Sequence, residues 1–309
     1  MTTNKRKEYS GVIVPMVTPF SGEGKIDFGA VEKLIRNFTA NDICPLVLGT
    51  TGECASIHDE DKVALLRFLT SRFHDRTRIY VVISDNCLRK SLELARQYFD
   101  FGIDLNVALL PNYYPLNRTQ IRKYFEDLAE SIPGKLFLYN IPATTGISIP
   151  LDIINALSFH PKIVGLKDSE QDLPRLEQSV EMWKDREDFS HFVGWGAQCF
   201  YGLCRGSDGI VPSTGNFCPA IYRELYSASQ GGERERGLQM LEITMEIASI
   251  YQNKRILSES LPALKVMLDV AGLCAKTVIS PFTELPPEEE EQVRRSTAEM
   301  IEKYQLSWI

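Results

Sequence analysis

Ile163-Val164-Gly165-Leu166-Lys167-Asp168-Ser169 is a run of apolar and small residues that ends on a lysine and a polar pair. Short runs of this kind form strands buried on both faces. Lys167 then sits where such a strand surfaces, with its stem among apolar neighbours and its amine at the rim. Burial of that kind disfavours an ammonium ion, and a neutral amine can attack a carbonyl. In isolation the same residue reads first as a surface lysine closing a strand, so its meaning depends on the rest of the chain.

Moving outward, short apolar runs alternate with longer amphipathic ones. The predicted strands are Val12–Val17, Pro45–Leu48, Ile79–Ile83, Leu105–Leu109, Leu136–Tyr139, Ile163–Lys167, Phe189–Val193 and Gly209–Val211. The helices predicted between and after them are Asp27–Asn41, Asp59–Arg72, Leu92–Phe101, Thr119–Ser131, Leu151–Leu157, Leu173–Trp183, Gln198–Cys204 and Pro219–Ser229. Asp27 and Asp59 read as N-caps. Strand followed by helix, repeated eight times, predicts an α/β fold of the (β/α)8 TIM-barrel type. A doubly wound sheet would carry a Gly-x-Gly-x-x-Gly turn after its first strand, whereas Gly194-Trp195-Gly196 follows the seventh and lacks the third glycine. Beyond Ser229 the strands stop, and Arg234–Tyr251, Ser258–Ala271 and Pro287–Tyr304 read as helices. The expected organisation is a catalytic barrel over 1–229 and a C-terminal three-helix extension over 230–309.

The 309 residues are 44% hydrophobic and 24% charged, as in a globular protein, and the net charge of -7 argues against a nucleic-acid partner. No apolar run is long enough to span a membrane, and no apolar segment follows the charged start Met1-Thr2-Thr3-Asn4-Lys5-Arg6-Lys7-Glu8. The 7 cysteines are odd in number and dispersed, a pattern of free thiols. These features predict a cytoplasmic protein.

Chemistry in a barrel gathers at the carboxyl ends of its strands. Those ends carry Thr18-Pro19-Phe20, Gly49-Thr50-Thr51-Gly52-Glu53, Pro111-Asn112-Tyr113-Tyr114-Pro115, Tyr139-Asn140-Ile141-Pro142, Lys167-Asp168-Ser169, Gly194-Trp195-Gly196-Ala197 and Pro212-Ser213-Thr214-Gly215-Asn216. A lysine, tyrosines, threonines and glycines suit imine chemistry on a 2-oxo acid: Lys167 condenses with the ketone, and the iminium withdraws electrons from C3. Gly49, Thr50 and Thr51 offer backbone N–H groups and hydroxyls for the substrate carboxylate, although such turns also favour Gly and Thr for purely local reasons. Tyr139, one strand before the lysine, can shuttle protons, or it can be a rim tyrosine. The 4 histidines are scattered, so no metal site is expected, and neither a Gly-x-Ser-x-Gly elbow nor a phosphate-binding loop is present.

In their order and spacing these pieces resemble the dihydrodipicolinate synthase / N-acetylneuraminate lyase family of class I aldolases along almost the whole chain. The resemblance implies a (β/α)8 barrel with C-terminal helices, assembled as a homotetramer of two dimers and working without a cofactor. It implies Lys167 as the Schiff-base lysine, Tyr139 as proton shuttle, and Thr50 and Thr51 as carboxylate binders. Tyr113 is similar to a tyrosine that the synthase branch reaches into a neighbouring subunit's site. Ser169, Val211 and Ser213 fall among the family's substrate-contacting positions, the two serines where lyases place small hydroxyl residues against a polyol chain.

Departures from the family pattern bear on substrate. The synthase branch has an Arg-Thr-Gly turn whose arginine binds the second substrate's carboxylate, and Thr144-Thr145-Gly146 stands there instead. Sugar-acid lyases place two acidic residues where this chain has Gly196 and Ala197. The expected function is therefore a Schiff-base lyase, aldolase or dehydratase, acting on a small-molecule 2-oxo acid. Dihydrodipicolinate synthase activity is the alternative, and a non-catalytic ligand binder on the same barrel is a further one.

Overall fold

A computed structural model describes residues 7–309 apart from Asp104. The start Met1–Arg6, on which the reading of the N-terminus partly rests, lies outside the described residues. In chain order the elements are β1 (Gly11–Pro15), α1 (Phe28–Ala40), β2 (Ile43–Val47), α2 (Asp59–Phe73), β3 (Tyr80–Val82), α3 (Leu88–Phe99), β4 (Leu105–Ala108), α4 (Arg118–Ser131) and β5 (Lys135–Asn140). The short α5 (Pro142–Thr145) and then α6 (Leu151–Leu157) follow, and after them β6 (Ile163–Asp168), α7 (Leu173–Trp183), β7 (Ser190–Val193), α8 (Cys199–Arg205) and β8 (Gly209–Ile210). Four helices complete the chain: α9 (Pro219–Gly231), α10 (Arg234–Gln252), α11 (Leu257–Val270) and α12 (Pro287–Tyr304).

The strands close in sequence order, β1 to β8, into a barrel, and β8 pairs parallel with β1 through Gly11↔Gly209 and Val12↔Ile210. The (β/α)8 reading and the helical C-terminal region both hold. Boundaries moved where local signals misled. Asp27 caps α1 by accepting from Ala30 N at 3.0 Å, as expected. Asp59, in contrast, is the first residue inside α2; His58 is the cap, and Asp59, Glu60 and Asp61 fill the first turn, where negative charge is favourable. Helix α3 starts at Leu88, a full turn before Leu92, and β8 ends at Ile210, leaving Val211 just beyond the strand.

The chain groups into two compact units. In the first, residues 7–13 with 79–212, the interior is set by aromatic rings. Phe137 packs edge-on against Tyr9, Tyr80 and Phe192, with centroids 5.4, 5.3 and 5.7 Å apart, an arrangement the ring quadrupole favours. This cluster explains two strand glycines. A Cβ at Gly165 would lie 2.3 Å from the Phe137 ring, and one at Gly209 would lie 2.2 Å from the Phe192 ring.

The second unit, Val14–Arg78 with Ser213–Ile309, holds β2, α1 and α2 together with α9 to α12. Asn216 ties the exit of β1 to the turn that follows β8. Its amide donates to Pro15 O at 2.9 Å and Ser213 O at 2.8 Å, and its side-chain oxygen accepts from Val17 N at 3.0 Å. Among the described residues no helix is long and apolar enough to cross a membrane.

Candidate active site

Lys167 is the penultimate residue of β6 and only 6% exposed. The register pairs it with Tyr139 on β5 and with Phe192 on β7, so the three share one face. Its Nζ lies 3.8 Å from the centroid of the Tyr139 ring. Among the described residues no salt bridge reaches this amine. The lysine therefore sits beside a buried tyrosine, on the barrel face that also carries Phe137 and Phe192.

Thr50 and Thr51 belong to the turn that leaves β2 in the second unit. The N–H groups of Gly52, Glu53 and Cys54 close this turn on Gly49 O and Thr50 O at 3.0–3.4 Å. The hydroxyls and N–H groups of Thr50 and Thr51 stay outside that internal hydrogen bonding. Thr18 Oγ1 donates to Gly52 O at 2.8 Å, and a Cβ on Gly52 would lie 3.0 Å from Met16 O, a tight fit against the Thr18 segment. Leu48 and Glu53 flank the turn at φ 55° and 57°, both in the left-handed region. Such backbone costs on the order of 1–3 kcal/mol per residue and persists only where the surroundings over-determine it.

At Glu53 those surroundings are visible. Its Oε1 lies 2.5 Å from Lys265 Nζ, and both side chains are almost wholly enclosed. Glu53 Oε2 accepts from Ile279 N at 3.1 Å, while Lys265 donates to Thr277 O at 2.8 Å and lies 4.2 Å over the Phe20 ring. Burial outweighs the pull of Glu53 and pushes the Lys265 amine below the ordinary lysine range. Sequence reasoning missed this pair because α11 is remote from the turn and a lysine within a helix gives no local signal.

The remaining expected residues are distributed unevenly. Ser169 follows β6 against Gly194, where a Cβ would strike Ser169 Oγ at 2.1 Å and Asp168 O at 2.9 Å. Gly194 N donates to Asp168 O at 2.6 Å. Gly196 borders open space, with nothing within 4 Å of an added Cβ. Thr144 lies in α5 and turns its hydroxyl back to Ile141 O at 3.3 Å. Val211 is buried and donates its N–H to Val193 O at 2.8 Å. Ser213 Oγ lies 2.8 Å from the hydroxyl of Tyr251 in α10, which Thr214 and Gln252 also reach. Burial pushes that phenol up to about 12, so it remains protonated near neutrality. Tyr113 stands apart, 76% exposed on the loop after β4, with its ring edge-on to Tyr114 and its N–H bound to Asn86 Oδ1. It does not join the buried Lys167–Tyr139 pair. On the face of β5 and β6 opposite that pair lies a further cluster, Asn140, Asp168, Glu170 and Arg175. The readable trace of it was a second polar residue directly after Tyr139 and after Lys167, on strands whose two faces are both buried.

The chain is similar to known proteins along most of its length. The 4-hydroxy-tetrahydrodipicolinate synthase of Kosmotoga olearia is 25% identical over 290 residues, 93% of this chain and 97% of its own. A protein of Escherichia coli K12 provisionally named 2-dehydro-3-deoxy-D-gluconate aldolase is also 25% identical, over 282 residues, 90% of this chain and 91% of its own. The structure of dihydrodipicolinate synthase from Bacteroides thetaiotaomicron superimposes with a TM-score of 0.89 at 28% identity, covering 95% of this chain and 99% of that one. The model of the dihydrodipicolinate synthetase family matches residues 8–300, and the chain belongs to that family.

Proposed function

We propose that the chain is a Schiff-base-forming lyase that cleaves or dehydrates a 2-oxo acid longer than pyruvate. One observation carries the reading: Lys167 has a buried amine, without a carboxylate partner among the described residues, over the ring of a tyrosine at the paired position of the preceding strand. The neutral amine adds to C2 of the substrate, and the carbinolamine loses water to give an iminium. That iminium accepts the electron pair released at C3. In an aldolase the pair comes from the broken C3–C4 bond, leaving an enamine and an aldehyde. In a dehydratase a proton leaves C3, and hydroxide departs from C4 as water. Protonation and hydrolysis then return Lys167. Tyr139 carries the protons to and from the substrate oxygens, and the Thr50 and Thr51 N–H groups and hydroxyls receive the carboxylate.

Residues at the turn after β5 favour a lyase over the synthase. The synthase reaction needs a cation for a second carboxylate, and a threonine hydroxyl brings no charge and no fork of donors. Thr144 moreover spends its hydroxyl on Ile141 O. The open space at Gly196, beside Ala197, leaves room for a substrate tail, and Ser169 offers it a hydroxyl.

Further parts of the reading go with this. Residues 230–309 serve the barrel of 1–229 as an extension rather than as a second enzyme, a role supported by the hold of Lys265 on Glu53. All 7 cysteines are free thiols, in keeping with a cytoplasmic protein. The exposed, mutually packed Tyr113 and Tyr114 suit a subunit contact in a tetramer, through which Tyr113 would reach a partner's site.

The test is borohydride reduction with pyruvate present. Mass spectrometry is expected to find one reduced pyruvyl group, on the peptide containing Lys167, and none on Lys265. No adduct, or an adduct on Lys265, overturns the reading.

A further inference from the structure

Lys167 and Tyr139 occupy the rung before the last of β6 and β5; the last rung pairs Asn140 with Asp168. Alternation turns these two side chains to the opposite face from the amine and the phenol. Both are nonetheless buried. Buried polar groups persist only when partnered, and here every side-chain polar atom of Asn140 and Asp168 has a partner, while Arg175 Nη2 has none. Asn140 Nδ2 donates to Asp168 Oδ1 at 2.8 Å and to Glu170 Oε2 at 2.9 Å, while its Oδ1 accepts from Ile149 N at 2.9 Å. Arg175 Nε, in the first turn of α7, donates to Asp168 Oδ2 at 2.7 Å and lies 3.3 Å from Glu170 Oε2. Glu170 N donates to Asp168 Oδ1 at 3.1 Å, and Ser148 Oγ donates to Glu170 Oε2 at 2.6 Å. The ladder continues on both sides, with Ser169 N donating to Asn140 O at 2.9 Å and Gly194 N to Asp168 O at 2.6 Å.

The placement matters more than the number of bonds. Strand ends fray most easily, and the groups read as nucleophile and proton carrier lie one residue from two such ends. A slip of one strand along the other would separate Lys167 from Tyr139, and misplacement by about 1 Å costs roughly 10²-fold in rate. Asn140, Asp168 and Arg175 close this end from behind, without reaching the face that carries the amine. Through Glu170, Ser148 and Ile149, the same cluster fastens the segment after α5 to the lysine's strand. A stability role alone would not need a cluster at this rung, because the apolar packing of Phe137 and Phe192 already secures the strands lower down.

We propose that Asn140, Asp168 and Arg175 are positioning residues that fix the depth of β6 against β5, and so the approach of the Lys167 amine to the substrate carbonyl. This rests on the reading of Lys167 as the imine-forming lysine. The experiment measures the rate of imine formation at saturating pyruvate by rapid mixing and borohydride quench, together with the half-saturating pyruvate concentration and the melting temperature. Asp168→Asn keeps the shape but sets an amide against Arg175 or Asn140, and Arg175→Lys keeps the charge but loses the planar fork. For Asp168→Asn the expected result is a trapping rate lower by roughly 10- to 100-fold, with half-saturation changed less than about threefold. Arg175→Lys should fall between it and the parent, and Glu170→Gln should be milder still. A folded Asp168→Asn that traps at the parent rate overturns the proposal, as does a loss confined to half-saturation. If Asp168→Asn does not fold, Arg175→Lys and Glu170→Gln decide, and parent rates in both overturn it. A parent protein that forms no adduct fails the reading of Lys167 itself, and the proposal with it.

Discussion

Each compact unit buries one lysine near the carboxyl end of a barrel strand or the turn that follows, and the two are held in opposite ways. Lys265 is 1% exposed and has three fixed neighbours: Glu53 at 2.5 Å, Thr277 O at 2.8 Å and the Phe20 ring at 4.2 Å. Lys167 has an aromatic ring at 3.8 Å and no salt bridge among the described residues. A buried ammonium is tolerated only when paired. The first lysine meets that condition and works as a bolt, fixing a left-handed glutamate at the end of the turn that carries Thr50 and Thr51. The second has no such partner among the described residues, and in the function proposed above it is the amine that reacts. Burial alone would have marked Lys265 as the reactive one, since its amine is pushed below the ordinary lysine range. The partners separate the two roles.

The largest effect expected from breaking this contrast is on stability, at Lys265. Lys265→Met leaves Glu53 buried without its cation, which costs roughly 3–5 kcal/mol. Adding Glu53→Gln removes the stranded charge, and the double variant should recover more than half of that loss in urea denaturation. The folded fraction of either variant should still form the pyruvyl adduct at Lys167. A single-variant cost below about 1 kcal/mol would mean that the pair is no bolt.

Next in size is the floor beneath the other lysine. Gly165→Ala sets a methyl 2.3 Å from the Phe137 ring. Overpacking of this kind costs about 1–3 kcal/mol, and the displaced ring would disturb the layer under Lys167 and Tyr139. Both the urea midpoint and the trapping rate should fall. A lowered midpoint with an unchanged rate would show that the floor supports the fold without setting the site.

What could be read from sequence follows the same division. The barrel was legible because its strands are short apolar runs and its helices amphipathic ones, which are local patterns. Lys167, Tyr139 and the Thr50-Thr51 turn stand out as candidates because chemistry-bearing residues end those runs. The start of helix α3 is hidden in the sequence because Arg89 and Lys90 interrupt the apolar pattern, and Leu94 and Ala95 are the first apolar residues of its buried face. Glu53–Lys265 and Asp168–Arg175 were not legible as pairs. Each depends on where a helix returns to the barrel, and residue type does not encode that distance. Tyr113 was legible only through resemblance, and its exposed position shows why its residue type gave no separate signal.

The last expected effect, confined to acid pH, concerns a third buried base, His191 on β7, which sharpens the contrast because its ring, like the Lys167 amine, meets no carboxylate among the described residues. Its ring nitrogens face Ser179 Oγ at 3.1 Å and Ser207 Oγ at 3.0 Å, and the ring stacks on Trp183 with centroids 6.1 Å apart. Burial first, then the positive charges of Lys7 and Arg175, push it down to about 3 from an ordinary 6.5. The unfolded chain therefore binds a proton below 6.5 that the folded one refuses. Stability from this group is complete above pH 6.5 and is lost as pH falls from there toward 3, by about 1.4 kcal/mol per pH unit. His191→Gln keeps a donor and an acceptor between the two serines but cannot titrate. Carboxylates held below their ordinary range, such as Glu32 and Glu290, are common to both proteins and cancel in the difference. Urea unfolding between pH 7 and 4.5 should thus give curves that converge as the pH falls, the parent losing its lead at that slope. Parallel curves across the range would mean that His191 is protonated within the fold, and that a base buried in this barrel can hold its charge without a carboxylate.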